Sequence, residues 1–244
     1  MLGAVVDRTG RGGVRKVKET FADVERRYAA KGHEVRWPVS AEILSMPIMG
    51  ATKSAGSAHT LFVSRRAVES GVLDGLIAHE MGHMLRTETR HASHDPEMFR
   101  ALPRAVRIPR SATEAFDQAF NHIQDIYADD LAFLVFGEEG DRRVYDFFGS
   151  WVDGNASQIG RDRWENVGLA ATAAFALGNL LRHGLLSSDD PLWERARAFD
   201  REAGIAAVPA LADFYASLPQ DPSAEAFIDR VRSLALLMTR AANA

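Results

Sequence analysis

The chain reads as an α+β protein in which helix predominates, and three observations point there. Apolar residues recur at three- and four-residue spacing along most of the 244 positions. Short stretches rich in β-branched and aromatic residues are confined to the N-terminal part. Proline and glycine then divide the C-terminal half into separate helical runs. The expected organisation is a core in residues 1–138, holding a small β-sheet and the first helices, with a helical subdomain in residues 139–244 packed on it.

After a glycine-rich start, Val14, Val17, Phe21, Val24 and Tyr28 share one helical face and predict a helix over about 14–31. "HEVRWPV" (33–39) and "AHTLFVS" (58–64) are the strand candidates, with Gly and Ser punctuating the chain between and before them. The helical pattern returns from about Ala67 and ends near Thr87. "HASHDPE" reads as a loop, because Asp95 precedes Pro96 and the residue before proline is pushed out of the helical region. Ser111 and Glu114 have capping-box spacing, so a helix is expected from near Ser111 through "AFDQAFNHIQDIYADDLAFLVF" to Gly137. "RRVYDFFGSWV", "ENVGLAATAAFALGNLLRHGLL", "PLWERARAFDREAG" and "SAEAFIDRVRSLALLMTRA" complete the helical half. The most apolar run, Asn166 to Leu181, falls short of the roughly 20 residues that cross a bilayer and reads as a buried core helix.

Composition removes several function classes. Lys and Arg number 29 against 33 Asp and Glu, a formal charge of -4, which offers no strong field for nucleic acid or an anionic membrane. Arg15, Lys16 and Lys18, and later Arg195, Arg197 and Arg201, are interleaved with acids and read as solvated helix faces. Cysteine is absent, which excludes disulfides, thiolate zinc sites and cysteine nucleophiles, so any metal must bind through His and carboxylate. "MLGAVVDRTGRGG" lacks the features of a secretory signal, and a cytoplasmic location is expected.

The chemistry concentrates in "LIAHEMGHML", residues 76–85. On a helix, His79 and His83 lie one turn apart on the same face and can present both imidazoles to one cation. Zinc suits nitrogen ligands, and a catalytic site takes three protein ligands with a fourth position for water. Glu80, the next residue along, would act as general base toward that water and then as general acid toward the leaving amine. A core or surface role for the histidines, with Glu80 solvated, is the plain structural alternative.

A third ligand is needed, and two regions offer one. The first is His91 and His94, soon after the helix. The metzincin pattern HExxHxxGxxH is not met there, since its glycine and third histidine would fall on Arg86 and Thr89. The second is "NHIQDIYADDL", where Asn121, Asp125 and Asp129 step by four and form one polar stripe on the expected helix.

The HExxH motif followed by "DIYAD" (125–129) resembles the gluzincin branch of the zincin metallopeptidases. In that branch a downstream helix carries ExxxD, and the Ala128-Asp129 ending is similar to the ExxAD variant of the family that includes the CAAX prenyl proteases. The resemblance covers about 60 residues, His79 to Asp129 and the strand before them. It implies a zincin-like core, Asp125 as third zinc ligand, Asp129 as the partner orienting His79, and one Zn2+ per chain. A carboxylate on the far nitrogen of a ligating histidine fixes its tautomer and raises its basicity, an independent physical reason for Asp129. Asp125 stands where the family has glutamate. Its side chain is shorter by one methylene, so the two helices must approach more closely.

The resulting expectation is a soluble zinc-dependent metallopeptidase acting on a peptide or protein substrate. "HTLFVS" would form the rim strand that binds extended peptide. Tyr145 and His183 are candidate oxyanion donors, and the C-terminal helices are a surface for a protein partner. His122 is expected to point away from the metal, His33 and His59 carry no signal, and the methionines around the motif read as core filler. The alternatives are a catalytically silent zincin-fold protein that binds zinc as a regulator or scaffold, and a metal-free helical interaction protein.

Overall fold

The computed structural model describes residues 2–136, 138–156 and 158–244, with the backbone alone described at 138–141, 155 and 156. The architecture is α+β. Ten α-helices and one four-stranded sheet are found among the described residues. The chain divides into two compact units, residues 1–94 with 127–137, and residues 95–126 with 138–244.

The first unit starts with β1 (Leu2–Asp7), α1 (Val14–Ala30) and β2 (Val39–Leu44), a βαβ unit in which β1 and β2 pair in parallel. β3 (Gly50–Ala55) and β4 (Ala58–Ser64) form a hairpin over the two-residue turn Gly56-Ser57, both with φ near 58°. Positive φ at both turn positions matches the natural twist of paired strands. The strand order is β1-β2-β4-β3, so β4 is paired on both sides and β3 forms an edge. That corrects the sequence reading of 59–64 as an exposed rim strand: β4 is internal, and β1 and β3 are the edges.

Alternation along β2 and most of β4 buries one face of the sheet. Val39, Ala41 and Ile43 of β2 and Leu61 and Val63 of β4 point to one face, where Val17, Phe21, Val24 and Tyr28 of α1 cover them. The first helix is therefore where the apolar spacing put it. The strand expected at 33–39 is not; β2 begins only at Val39. Pro38 has no N–H to give a ladder, and the N–H groups of Arg36 and Trp37 donate instead to the Glu88 carboxylate at 2.9 to 3.0 Å.

The single helix expected from Ala67 is two. α2 (Arg65–Glu69) is capped by Ser64, whose Oγ accepts from the Ala67 N–H at 3.0 Å. Ser70 turns extended and ends it, and α3 (Leu73–Glu88) follows. Leu73, Ile77, Ala78, Met81, Met84 and Leu85 of α3 join the core, so these two methionines are packing residues.

A buried polar cluster ties the C-terminus of α3 to β4. His59 Nε2 lies 3.1 Å from Glu88 Oε1, its Nδ1 lies 2.7 Å from Ser54 Oγ, and its ring stacks on Trp37. Burial pushes the His59 pKa below its ordinary 6.5, against the smaller raising effect of Glu88. With the folded value below the unfolded one, neutral His59 contributes stability that is complete above about pH 6.5 and lost as pH falls through the lowered value. Substituting His59→Gln keeps groups able to meet Ser54 and Glu88 but cannot titrate. Urea midpoints at pH 7.5 and 5.5 are expected to differ less for this variant than for the wild-type chain, and an unchanged difference would refute the assignment.

The second unit is helical. α4 (Pro96–Ala105) starts directly after the loop, with Asp95 Oδ1 accepting from the Glu97 N–H at 2.9 Å. α5 (Thr113–Ala132) belongs to both units, crossing from one to the other between Ile126 and Tyr127. Ser111 lies inside a short 3-10 turn, Arg110–Ala112, and not at a capping-box position; the expected helix end at Gly137 lies outside the described residues, and α5 stops at Ala132. α6 (Glu138–Ala156), α7 (Arg163–Arg182), α8 (Pro191–Ala203), α9 (Val208–Ala216) and α10 (Ala224–Asn243) follow. α7 is the expected core helix, buried almost without interruption from Asn166 to Leu180 and packed by α6, α8, α9 and α10. Among the described residues no helix is long and apolar enough to cross a membrane.

Candidate metal centre

α3 has two working faces. Its apolar face enters the core described above, and the other carries His79, Gly82, His83 and Arg86 at three- and four-residue steps toward the last turns of α5. Contacts to α5 are made at three levels. Arg86 Nε donates to the Tyr127 carbonyl at 2.8 Å, Gly82 lies against the backbone of Ala128, and His79 Nδ1 lies 2.6 Å from Asp129 Oδ1. A Cβ on Gly82 would collide with the Ala128 carbonyl oxygen and come within 2.9 Å of its carbon and 3.0 Å of its Cα. Only glycine lets the two backbones meet this closely. From the other side Tyr28 donates its hydroxyl to the Ala78 carbonyl at 2.8 Å, and burial, then the Asp129 charge, raises its pKa.

The two motif histidines face one another. His83 Nε2 and His79 Nε2 are 3.0 Å apart, and His83 Nδ1 is 2.7 Å from His94 Nε2. α5 runs unbroken from Asp129 back one turn to Asp125, and one ligand atom from each of His79, His83 and Asp125 lies within 4.8 Å of the others. Asp129 is almost wholly buried, whereas His79 and Asp125 keep about a quarter of their side-chain surface, 26% and 25%. Part of the His79 and Asp125 side chains is therefore open to solvent, whereas that of Asp129 is not. Glu80 is buried on the same helix, and Thr52 of β3 reaches its carbonyl at 3.4 Å.

The donors fit a small divalent cation. An ionised carboxylate only accepts, so His79 carries a proton on Nδ1, and in its neutral form it presents an Nε2 lone pair toward His83. Two imidazole lone pairs at 3.0 Å repel unless a proton or a cation lies between them. Two nitrogens on a tetrahedral zinc, each at about 2.05 Å, stand roughly 3.3 Å apart, close to the separation seen. With a carboxylate as third donor and no thiolate, the set suits zinc bound by nitrogen and oxygen.

His122 lies beside the acidic stripe. Its Nδ1 lies 3.3 Å from Asp125 Oδ2 and its Nε2 3.0 Å from Thr172 Oγ1, with the ring stacked on Phe175. Tyr145 has a structural task, donating to the Asp190 carboxylate that caps α8. His183 is the C-cap residue of α7. His91 and His94 lie in the loop expected after α3, buried, with His94 directly behind His83. Their proximity to the motif in sequence was the available signal, but only the chain reversal after α3 aims them back at it.

The chain belongs to a family of unknown function, DUF5781, which matches it over residues 29–236 and so spans every residue of this cluster. Comparison with curated proteins gave no match.

Proposed function

We propose that this DUF5781 chain is a zinc-dependent metallopeptidase with a zincin-like core. His79, His83 and Asp125 hold one zinc ion, Asp129 orients His79, and Glu80 is the general base and acid. The observation that carries the reading is the convergence of the three donors, with His79 held from behind by a buried carboxylate at 2.6 Å. Such a pairing is what a ligating imidazole needs to keep its Nε2 lone pair directed outward.

Zinc held by His79, His83 and Asp125 would supply Lewis-acid chemistry toward water and a scissile carbonyl. Glu80 would serve as the proton acceptor toward the attacking water and the proton donor toward the leaving amine. The β3 edge, beside the motif through Thr52, offers main-chain groups along which an extended peptide can pair, which favours a polypeptide substrate.

The test is metal content. Wild-type protein purified without chelator is expected to carry, or to take up on titration, one zinc per chain. The variant Asp125→Ala is expected to bind it more weakly by over about 100-fold, beyond what loss of an outer partner costs. No uptake by the wild-type chain would overturn the zinc reading, and full affinity in the variant would remove Asp125 from the ligand set.

A further inference from the structure

We infer that His94 is a positioning residue for the metal centre, selecting the tautomer of His83 and aiming its Nε2; this rests on the zinc reading above. The argument starts with the end of α3. Arg90 adopts a left-handed backbone with φ 53°, uncommon for a residue other than glycine, and the chain reverses through it. The Arg90 N–H donates to the Thr87 carbonyl at 3.1 Å and the His91 N–H to the Arg86 carbonyl at 2.9 Å, the six-to-one closure of a Schellman cap. The next turn is closed by the His94 N–H on the His91 carbonyl at 2.8 Å. Together these turns bring residues 91–94 back under the helix they have just left.

There the side chains form a continuous chain of buried groups. His83 Nδ1 meets His94 Nε2 at 2.7 Å, His94 Nδ1 meets Ser93 Oγ at 2.7 Å, and Ser93 Oγ meets His91 Nδ1 at 2.8 Å. His91, Ser93 and His94 are each more than nine-tenths buried, and the His91 ring packs on Tyr127. A side chain held this way has little rotamer freedom.

The order of donors follows once zinc occupies the site. A ligating nitrogen carries no proton, so neutral His83 must be protonated on Nδ1 and donate to His94 Nε2. His94 is then protonated on Nδ1 and donates to Ser93 Oγ, whose hydroxyl rotates to donate to His91 Nδ1. The Ser93 N–H, 3.3 Å from the same His91 nitrogen, agrees with His91 Nδ1 as an acceptor. His94 and Ser93 each accept once and donate once, His83 donates at one end and His91 accepts at the other, and no proton is gained or lost. His94 thus does for His83 what Asp129 does for His79, with a neutral acceptor in place of a carboxylate. Outer partners of metal-bound histidines typically govern affinity by about 10- to 100-fold.

The experiment compares wild-type chain, His94→Phe and His94→Gln. Phenylalanine fills the volume without an acceptor, and the glutamine amide oxygen can accept from His83 Nδ1. Zinc affinity is measured by chelator competition, and Co2+ is added as a spectroscopic probe of ligand geometry. His94→Phe is expected to weaken zinc by about 10- to 100-fold and to change the Co2+ visible bands, while His94→Gln recovers most of the affinity and the wild-type spectrum. Thermal melts without metal show whether each variant is folded. Full affinity and an unaltered spectrum in His94→Phe would overturn the inference, as would a His94→Gln variant that folds yet binds as weakly as the phenylalanine one. Absence of zinc binding by the wild-type chain would instead be the failure of the zinc reading itself.

Discussion

Gly82→Ala is expected to lower stability, although alanine is the better helix former. In an open helix interior that exchange favours folding by up to about 1 kcal/mol. Here the added methyl meets the Ala128 backbone, with Cβ falling at 2.9 Å from its carbonyl carbon and closer still to its oxygen. Backbone cannot rotate aside as a side-chain tip can, so α3 and α5 must separate. Overpacking of this kind costs roughly 1 to 3 kcal/mol and sometimes more, which in a chain of 244 residues corresponds to a fall in Tm of about 2 to 12 °C. The same separation draws Asp129 away from His79, so zinc affinity is expected to fall with stability. A thermal melt and a zinc titration on one preparation check both, and a Tm at or above wild type would show that the close approach is not needed.

Glu80→Gln is expected to lower turnover by about 10²- to 10⁴-fold while leaving metal content at the wild-type level. The amide has nearly the shape of the carboxylate but cannot take a proton from water, and loss of a general base typically costs about 10²- to 10⁴-fold. Glu80 is buried on α3 between His79 and His83, so an isosteric change leaves the helix and its contacts in place. The readout is cleavage of a defined peptide mixture followed by mass spectrometry, with zinc measured on the same samples. Equal cleavage by the variant would remove Glu80 from the mechanism. A wild-type chain that holds zinc and cleaves nothing, with a structure unchanged by the substitution, would favour the scaffold alternative.

Much of the architecture was legible because it depends on local periodicity. Val17, Phe21, Val24 and Tyr28 mark α1 by spacing alone, and the long run from Asn166 marks α7 as a core helix because it is apolar on every side. What failed did so where another part of the chain decides the outcome. Residues 33–38 have strand-like composition, yet Glu88 binds the backbone N–H groups that a ladder would use. β1 is a short apolar run that becomes a strand only by pairing with β2. The break at Ser70 and the turn at Arg110–Ala112 shift helix starts by a few residues, a matter of local capping that periodicity does not encode.

The candidate site divides along the same line. By itself the sequence determined the spacing of His79, Glu80 and His83 and of Asp125 and Asp129, because i and i+4 positions share a face of any α-helix. Only the tertiary structure decided that the two helices meet at Gly82 and Ala128, that Asp129 lies behind His79, and that a left-handed turn at Arg90 returns His94 to His83. The first set follows from the pitch of one helix. The second depends on where a missing side chain allows two backbones to touch and where a chain reverses, and those are properties of the packed molecule.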